Sequence, residues 1–156
     1  MARAVALRQL NMAPRSRAEL ERKMATKGVE RDVAAQVLDR LAEVGLVDDE
    51  AYAGMLVRSR QATRGLARRG LQHELRSKGV DDDVARAALE EVTDEDERAV
   101  AEQLVARRLR ATSGLDRAVR ERRLLGLLAR KGYGGGLARA VVREALDGEG
   151  GEVAPG

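Results

Sequence analysis

The stretch that determines the fold is LQHELRSKGVDDDVARAAL, residues 71–89, and two related stretches occur elsewhere in the chain. The Lys-Gly pair at its centre has counterparts at Lys27-Gly28 and Lys131-Gly132, 51 residues before it and 53 residues after it. Apolar residues recur seven and three positions before each lysine and again six, seven, ten and eleven positions after it. The chain therefore contains a structural unit that is repeated three times.

Each copy is predicted to be a pair of helices joined by a glycine turn. Leu71 and Leu75 are four residues apart, the spacing of neighbours on one face of a helix. Glycine adopts the left-handed backbone that ends a helix, and the lysine before it suits the negative helix terminus. The predicted turns are Gly28, Gly79 and Gly132. The predicted core includes the positions six and seven residues after the lysine, which are Val33 and Ala34, Val84 and Ala85, and Leu137 and Ala138.

Further helix start signals extend each pair to three helices. Ser16 and Glu19 have the spacing of a capping box, and Thr93 precedes an acidic turn that suits a helix N-terminus. No segment alternates apolar and polar residues as a half-buried strand does. The sequence predicts an all-α protein of about nine helices, arranged as three tandem three-helix repeats in an elongated, curved array. The predicted repeats are residues 1–46, 47–92 and 93–147, with the last helix over residues 137–146 and a disordered tail at 148–156.

Composition limits the core and the cellular setting. Only 1% of the residues are aromatic, with no Phe or Trp, so the core must be aliphatic and the repeats are expected to lean on one another. There is no cysteine, which excludes disulfides and thiol chemistry. No apolar run approaches the roughly 20 residues of a membrane span, and the first twelve residues lack a signal-peptide core. We therefore expect a cytoplasmic protein that does not contact membranes.

Charge is arranged in blocks, although the net charge is only +3. Residues 58–78 contain seven cations and one carboxylate, whereas residues 81–97 contain nine carboxylates and one arginine. Residues 107–123 contain seven arginines and two carboxylates. The two basic blocks occupy matching places in the second and third repeats, so stacked repeats would present them side by side. Such a surface attracts nucleic acid or an acidic protein groove.

The basic blocks supply the predicted binding residues. Most of the cations are arginines, whose planar guanidinium group suits phosphates and carboxylates. The same blocks are also compatible with a solvated face that carries ion pairs one helical turn apart, and with an arginine-rich composition set by the genome. Replacing Arg64, Arg68 and Arg69 together with alanine is predicted to weaken partner binding and to leave helical content intact. The candidates for contact with a partner or with DNA are Arg58, Arg60, Arg64, Arg68, Arg69, Arg76, Lys78, Arg107, Arg108 and Arg110.

Catalytic and metal-binding patterns are not found in the sequence. His73 is the sole histidine, and no residues near it suggest a catalytic triad, so it is interpreted as a polar residue on a helix surface. The glycines at 132–136 are not followed by the Gly-Lys-Ser/Thr of a phosphate-binding loop. The acidic runs at 48–50 and 94–97 are explained more simply as helix starts than as cation sites. The chain is predicted to have no enzymatic activity, no metal and no cofactor.

Five short motifs occur in a fixed order along the chain. They are SRAEL at 16–20 with the following Lys-Gly pair, GLVDDEAYA at 45–53, RSR at 58–60 with Gly65, ELRSKGV at 74–80 and LARKGY at 128–133. In this order the chain resembles, over nearly its whole length, the RecX family of bacterial regulators of the RecA recombinase. It departs from the family pattern at Leu56, where a bulky aromatic is usual, and in the triple glycine after Tyr133.

The resemblance implies a protein that binds the RecA filament on DNA, in its helical groove or at its growing end. Such a protein lowers ATP hydrolysis, filament extension and strand exchange in recombination and the DNA-damage response. We expect a monomer whose basic blocks also contact DNA. One alternative is a stand-alone DNA-binding protein, because helix-turn-helix readers are built from similar helix pairs. A helical scaffold for another partner is a further alternative.

Overall fold

The computed structural model describes residues 1–151, and within this range the chain forms nine α-helices, one short 3-10 helix and no β-strand. The predicted all-α fold with nine helices is therefore confirmed. The 3-10 helix follows α7 at Arg110–Thr112. The helices are α1 (Ala2–Met12), α2 (Arg17–Thr26), α3 (Arg31–Glu43), α4 (Asp49–Arg64), α5 (Arg68–Ser77), α6 (Asp82–Leu89), α7 (Asp94–Leu109), α8 (Arg117–Arg130) and α9 (Gly135–Gly151).

The chain forms two compact units. The first unit combines Met1–Arg58 with Gln72–Leu89, and the second combines Ser59–Leu71 with the chain from Glu90 onward. Helices α4 and α5 therefore each contribute residues to both units.

The core of the first three helices is aliphatic. Leu20 and Met24 of α2 are fully buried and pack in one cluster with Leu38 and Leu41 of α3 and Ala6 of α1. The buried residues of this cluster include no aromatic side chain. Burying one such leucine or methionine stabilises the fold by about 1.5–3 kcal/mol relative to leaving it exposed, so these few residues carry much of the local stability.

The last three helices of the second unit form a similar core. Leu124 and Leu128 of α8 are buried against Val141 and Val142 of α9 and Val105 of α7. Helix α9 packs along both α7 and α8. The apolar positions before and after the third Lys-Gly pair thus meet in one cluster.

The three Lys-Gly turns have the same backbone geometry. The angle φ is +82° at Gly28, +75° at Gly79 and +96° at Gly132, all in the left-handed region. The residue after each glycine donates its N–H to the carbonyl five residues earlier, at 3.0, 3.0 and 3.1 Å. This is the Schellman motif that closes helix C-termini. For a residue with a Cβ the same backbone angles cost about 1–2 kcal/mol.

One predicted core position is wrong. Val33, six residues after the first turn lysine, is 42% exposed, and its counterparts Val84 and Leu137 are only half-buried. The next position is the true core position, since its three alanines are 5%, 1% and 3% exposed. Successive residues of a helix point about 100° apart, so the side chain before each buried alanine is turned away from the centre of the core.

Helix α9 is longer than the spacing of apolar residues predicts. It begins at Gly135 and continues to Gly151. Residues 148–151 of the predicted tail therefore belong to a helix, and residues 152–156 lie outside the described residues.

The start of α2 is fixed by a buried serine with two roles. Ser16 Oγ accepts a hydrogen bond from the N–H of Glu19 at 3.2 Å, and the Glu19 carboxylate accepts one from the N–H of Ser16 at 3.0 Å. The predicted capping box is thus confirmed. Ser16 Oγ also donates to the carbonyl of Lys78 at 2.5 Å. The cap of α2 therefore binds the second Lys-Gly turn.

A backbone bond completes this joint in the first unit. The N–H of Arg17 donates to Asp49 Oδ1 at 2.9 Å, at the start of α4. The first residue of α2 has no partner within its own helix, because the first N–H groups of a helix have no carbonyl before them. The Asp49 carboxylate, which belongs to the next repeat, accepts the hydrogen bond of this N–H group.

The same joint occurs in the second unit. The N–H of Ala67 donates to the carbonyl of Lys131 at 2.9 Å, and the N–H of Arg68 donates to Glu97 Oε2 at 2.8 Å. Ala67 and Arg68 lie 51 residues after the two corresponding donors of the first unit. The start of the second helix of one repeat thus contacts the Lys-Gly turn and the first helix of the next repeat in both units.

Both joints require glycine because of close approach as well as backbone angle. A Cβ on Gly79 would overlap the Cβ of Ala18, and a Cβ on Gly132 would overlap the backbone N of Gly70. A Cβ on Gly70 would in turn lie 2.6 Å from the Lys131 carbonyl oxygen. The joints are therefore built mostly from main-chain atoms and small residues.

Ser16→Ala is expected to lower the free energy of unfolding by about 1.5 kcal/mol, because it removes a cap and leaves the Lys78 carbonyl without its donor. Thr93 is the matched control, since it caps α7 through Asp96 alone and is exposed. Thr93→Ala is expected to cost about 1 kcal/mol or less. Urea denaturation followed by circular dichroism measures both, and a larger loss for the threonine variant would contradict the double role of the serine.

Candidate partner-binding surface

The predicted binding residues divide between the two units. Arg58, Arg76 and Lys78 belong to the first unit, and the other seven belong to the second. The contacts of the candidate residues are therefore described separately for each unit.

In the first unit two of the three predicted cations have carboxylates nearby. Arg76 Nε lies 3.2 Å from Asp82 Oδ1, and Lys78 Nζ lies 3.8 Å from Glu19 Oε2. Arg58 is exposed. Ion pairs of this kind at a surface contribute little to stability, but they reduce the charge offered to a partner.

Arg68 has a structural role in the second unit. Its guanidinium group donates to the carbonyl of Val92 at 3.3 Å, to Glu97 at 2.7 Å and to Asp94. The hydrogen bond to Glu97, followed by that to Asp94, raises the pKa of Arg68. Glu97 is the more buried partner, with 13% of its side chain exposed. Arg68 thus ties the start of α5 to the start of α7.

Arg64 and Arg107, one from each basic block, line the same cavity of the second unit. Lys131 lines it as well, together with the polar side chains of Gln61 and Gln103, and the cavity has a volume of about 110 Å³. Three cations therefore surround one small polar depression. One arginine of each basic block thus lines this cavity.

The cavity is assembled by the turn after α4. Gly65, with φ of +63°, ends the helix, and the hydroxyl of Tyr133 donates to its carbonyl at 2.8 Å. Burial raises the pKa of Tyr133 above its ordinary value, so the phenol remains a hydrogen-bond donor even in alkaline solution. A Cβ on Gly65 would lie 3.0 Å from Leu104, which lines the cavity. The hydrogen bond from Tyr133 to Gly65 holds the end of α4 beside the turn after α8.

The remaining candidates do not join this cavity. Arg69 and Arg110 are exposed and Arg60 is half-buried, while Arg108 lines a separate cavity of the same unit. Within the second unit, the predicted residues therefore do not all line one cavity.

The cavity suits a charged group of a partner rather than a small molecule. Its volume lies well below the roughly 300–1,000 Å³ of ligand pockets. His73 is exposed on α5, and among residues 1–151 no three side chains of His, Cys, Asp or Glu are placed to hold a metal ion. The arrangement can bind carboxylates or phosphates by charge and hydrogen bonds.

Sequence reasoning misses part of this surface. It assigns Lys131 only to the turn motif, and it passes over Gln61 and Gln103 because they carry no charge. The lysine could have been found from the sequence, since it lies eight residues after the basic block of the third repeat. Nothing in the sequence around Gln61 and Gln103 indicates that they line this cavity.

Models of three RecX domains match the chain in order. The first three-helix domain matches residues 2–41, the second 48–89 and the third 94–142. The chain belongs to the RecX family. Regulatory protein RecX of Thermobifida fusca (strain YX) is 52% identical over 152 residues, which are 97% of this chain and 82% of the relative. Regulatory protein RecX of Streptomyces coelicolor is 49% identical over 149 residues, or 96% and 79% of the two chains.

Solved RecX structures have the same fold. The crystal structure of RecX from Lactobacillus salivarius superposes with a TM-score of 0.82 at 23% sequence identity, over 92% of this chain and 93% of that one. A second crystal structure of regulatory protein RecX gives a TM-score of 0.83 at 23% identity, covering 92% and 72% of the two chains. The resemblance to the RecX family is thus confirmed. None of the helices within residues 1–151 is long and apolar enough to cross a membrane.

Proposed function

We propose that this chain binds the filament that RecA forms on DNA and lowers its ATP hydrolysis, its extension and its strand exchange. It acts as a monomer in the cytoplasm, along the filament groove or at the growing end, with repeats bounded at residues 1–46, 47–92 and 93–147. The observation that carries the proposal is the ordered match of three RecX three-helix domains over most of the chain. Relatives about half identical to it are named regulatory proteins.

The charge of the second unit supports this proposal. The cavity lined by Arg64, Arg107 and Lys131 offers a group of cations to a partner surface that carries acidic side chains or phosphates. A nucleoprotein filament presents both. Regulation by occupying such a surface depends on charge and shape and needs no catalytic residue.

The direct test is to titrate the chain into RecA filaments formed on single-stranded DNA and to follow ATP hydrolysis. We expect the rate to fall as the chain is added and to level off once the filament is saturated. Filament length in electron micrographs separates the two modes, because binding at the growing end shortens filaments whereas binding in the groove leaves their length unchanged. An unaltered ATPase rate at saturating protein would sink the proposal.

The double variant Arg64→Ala with Arg107→Ala is expected to raise the concentration needed for half-maximal inhibition roughly tenfold. The matched control is Arg8→Ala with Arg31→Ala, which removes the same charge from exposed positions of the first unit. We expect the control to stay close to the unmodified chain. Equal effects of the two variants would show that net charge, and not this cavity, governs binding.

Stand-alone DNA binding is the alternative function. It predicts tight, sequence-specific binding of the chain to duplex DNA that survives moderate salt, with no effect on RecA ATPase. Measuring both quantities with the same preparation decides between the two functions.

A further inference from the structure

Helix α3 has a second apolar stripe beside the one that faces the core. Val33 and Val37 lie on this stripe, Arg40 follows them, and Val44 directly after the helix completes it. The intervals of four, three and four residues place these side chains on one face. Val33 is 42% exposed, Val37 is half-buried and Val44 is 68% exposed. The core of the first unit therefore covers only part of the stripe.

The stripe borders a groove between α1 and α3 in the first unit. The volume of the groove is about 350 Å³, within the roughly 300–1,000 Å³ of binding pockets. Part of its wall is apolar, and two cations stand beside that wall, one from each helix. The lining residues are Arg3, Val37, Arg40, Leu41, Glu43 and Val44.

The third repeat has an equivalent groove with an ion pair beside it. Its positions lie 104 residues after those of the first repeat. The residues that correspond to Val37, Arg40 and Val44 are Val141, Glu144 and Gly148. All three line a cavity between α7 and α9, and Arg98 of α7 donates a hydrogen bond to Glu144 at 2.5 Å. The first and third helices of that repeat thus supply opposite charges to each other.

The groove of the first repeat has cations on both helices instead. Arg40 stands where the third repeat has a carboxylate, and α1 contributes Arg3. Within the described residues neither arginine is paired with a carboxylate, whereas Arg17 of the same unit is held by Asp39 at 2.7 Å. Glu43 also lines the groove, which leaves one net positive charge. A carboxylate from another molecule would supply the partner that the third repeat carries itself.

We propose that this groove docks an amphipathic helix of a protein partner, one that carries carboxylates beside an apolar stripe. Helices that pack along a seam place apolar residues at alternating intervals of three and four, which is the spacing of the stripe on α3. Burying Val37 and Val44 under such a helix removes apolar surface from water. Carboxylates of the partner pair with the two arginines and select acidic helices over basic ones.

The apolar part of the groove distinguishes this partner from a polyanion. A chain of phosphates would be attracted by Arg3 and Arg40, but it would gain nothing from the exposed valines between and beyond them. The inference also goes beyond regulation of RecA. It concerns a surface of the first unit, whereas the cavity with Arg64 and Arg107 belongs to the second.

The test follows the amide NMR spectrum of the isotopically labelled full chain as a helical peptide is added, without RecA or DNA. The probe is an alanine-rich peptide of about 18 residues, with leucines at intervals of three and four residues and glutamates beside them. A second peptide has lysine in place of each glutamate. A third has serine in place of each leucine.

We expect the glutamate–leucine peptide to shift the amide signals of Val37, Arg40 and Val44. The other two peptides are expected to bind with roughly tenfold lower affinity, because each lacks one half of the recognition chemistry. Equal affinity for all three peptides would overturn the proposal. So would shifts that leave the signals of the groove unchanged.

Reversing one charge of the groove gives a second readout. Arg40→Glu is expected to lower the affinity for the glutamate peptide roughly tenfold and to raise that for the lysine peptide by a similar factor. The matched control is Arg31→Glu. Arg31 is exposed and lies nine residues before Arg40, so the two side chains project from opposite faces of α3. An equal change in both variants would show that net charge governs binding, and the proposal would fail.

Removing one apolar side chain tests the stripe without a change of charge. Val44→Ser is expected to keep the fold, since this residue is 68% exposed, and to lower the affinity for the glutamate–leucine peptide severalfold. Leu115→Ser is the matched control, because Leu115 is an exposed apolar residue of the second unit. Circular dichroism verifies the helical content of each variant. Unchanged affinity of the Val44 variant would rule out the stripe as the contact.

A second copy of this chain is the competing occupant of the groove. If the signals of the groove shift with protein concentration in the absence of peptide and sedimentation shows a dimer, the groove pairs two copies and the proposal fails. The inference does not rest on regulation of RecA, because neither the probe nor the readout contains RecA. Peptide binding can fail while inhibition of the filament ATPase stands, and unaltered ATPase leaves a positive peptide result in place.

Discussion

Gly79→Ala is expected to lower the free energy of unfolding by about 3 kcal/mol or more, because two unfavourable effects add at this position. The left-handed backbone costs about 1–2 kcal/mol once a Cβ is present. That Cβ would also overlap Ala18 across the joint, and overpacking of this kind typically costs about 1–3 kcal/mol. Gly79→Val adds a branched side chain at the same place and is expected to be worse.

Gly28→Ala isolates the contribution of the joint. Gly28 has nearly the same φ, +82°, but a Cβ there would have no atom within 4 Å. Its replacement is therefore expected to show only the backbone effect, a loss of about 1–2 kcal/mol. Urea denaturation of both variants, followed by circular dichroism, gives the difference. Equal losses at the two glycines would mean that the close approach to Ala18 relaxes without cost.

Arg68→Ala is expected to lower the free energy of unfolding by about 2 kcal/mol. The side-chain hydrogen bond to Glu97 accounts for most of this, because a hydrogen bond with a charged group contributes about 1.5–3 kcal/mol and Glu97 is the more buried partner. The contact with Asp94 adds little, since 91% of that side chain is exposed. Thermal and urea denaturation measure the loss.

Arg69→Ala is the matched control for Arg68→Ala. Arg69 is the next residue of α5 and is exposed, so its replacement is expected to change stability by less than about 0.5 kcal/mol. The triple replacement of Arg64, Arg68 and Arg69 is consequently no longer expected to leave the fold intact, because it includes a structural residue. If Arg68→Ala were as stable as Arg69→Ala, the ion pair between Arg68 and Glu97 would make no measurable contribution to the stability of the fold.

The sequence predicts features that depend on neighbours along the chain. The Ser16 capping box needs only a hydroxyl and a carboxylate three residues apart. The turn at Gly79 follows from a helical stripe that ends in Lys-Gly. The all-α fold follows from three such stripes and from the lack of any alternating pattern. Each of these is determined within about one helical turn, which is why residue spacing alone is sufficient.

Contacts between distant residues are not predictable in the same way. The partner of Arg68 is 29 residues away, and several carboxylates of the acidic block are equally plausible by charge alone. The exposure of Val33 could not be predicted for a similar reason. Val33 and the buried Ala34 are both apolar and both recur in the three repeats, so the sequence does not show which of the two is buried. Repeat alignment identifies equivalent positions, but packing decides which of them face the core or a partner.

The candidate surface is predictable in part. Charge counting identifies Arg64 and Arg107, and the structure places both beside one cavity. It does not separate Arg68, which is bound to Glu97, from its exposed neighbour Arg69. Side chains of the same type in adjacent positions differ only in direction, and direction depends on the tertiary fold.

The joints between repeats have a consequence for evolution. Their central contacts involve the carbonyls of Lys78 and Lys131 and the glycines after them, and main-chain atoms are the same whatever the side chain. Mutation can therefore replace most surface residues without erasing the geometry by which one repeat meets the next. This accounts for a fold that persists between chains only 23% identical, with TM-scores of 0.82 and 0.83. Charged surface residues that take no part in these joints can therefore change without altering how neighbouring repeats meet.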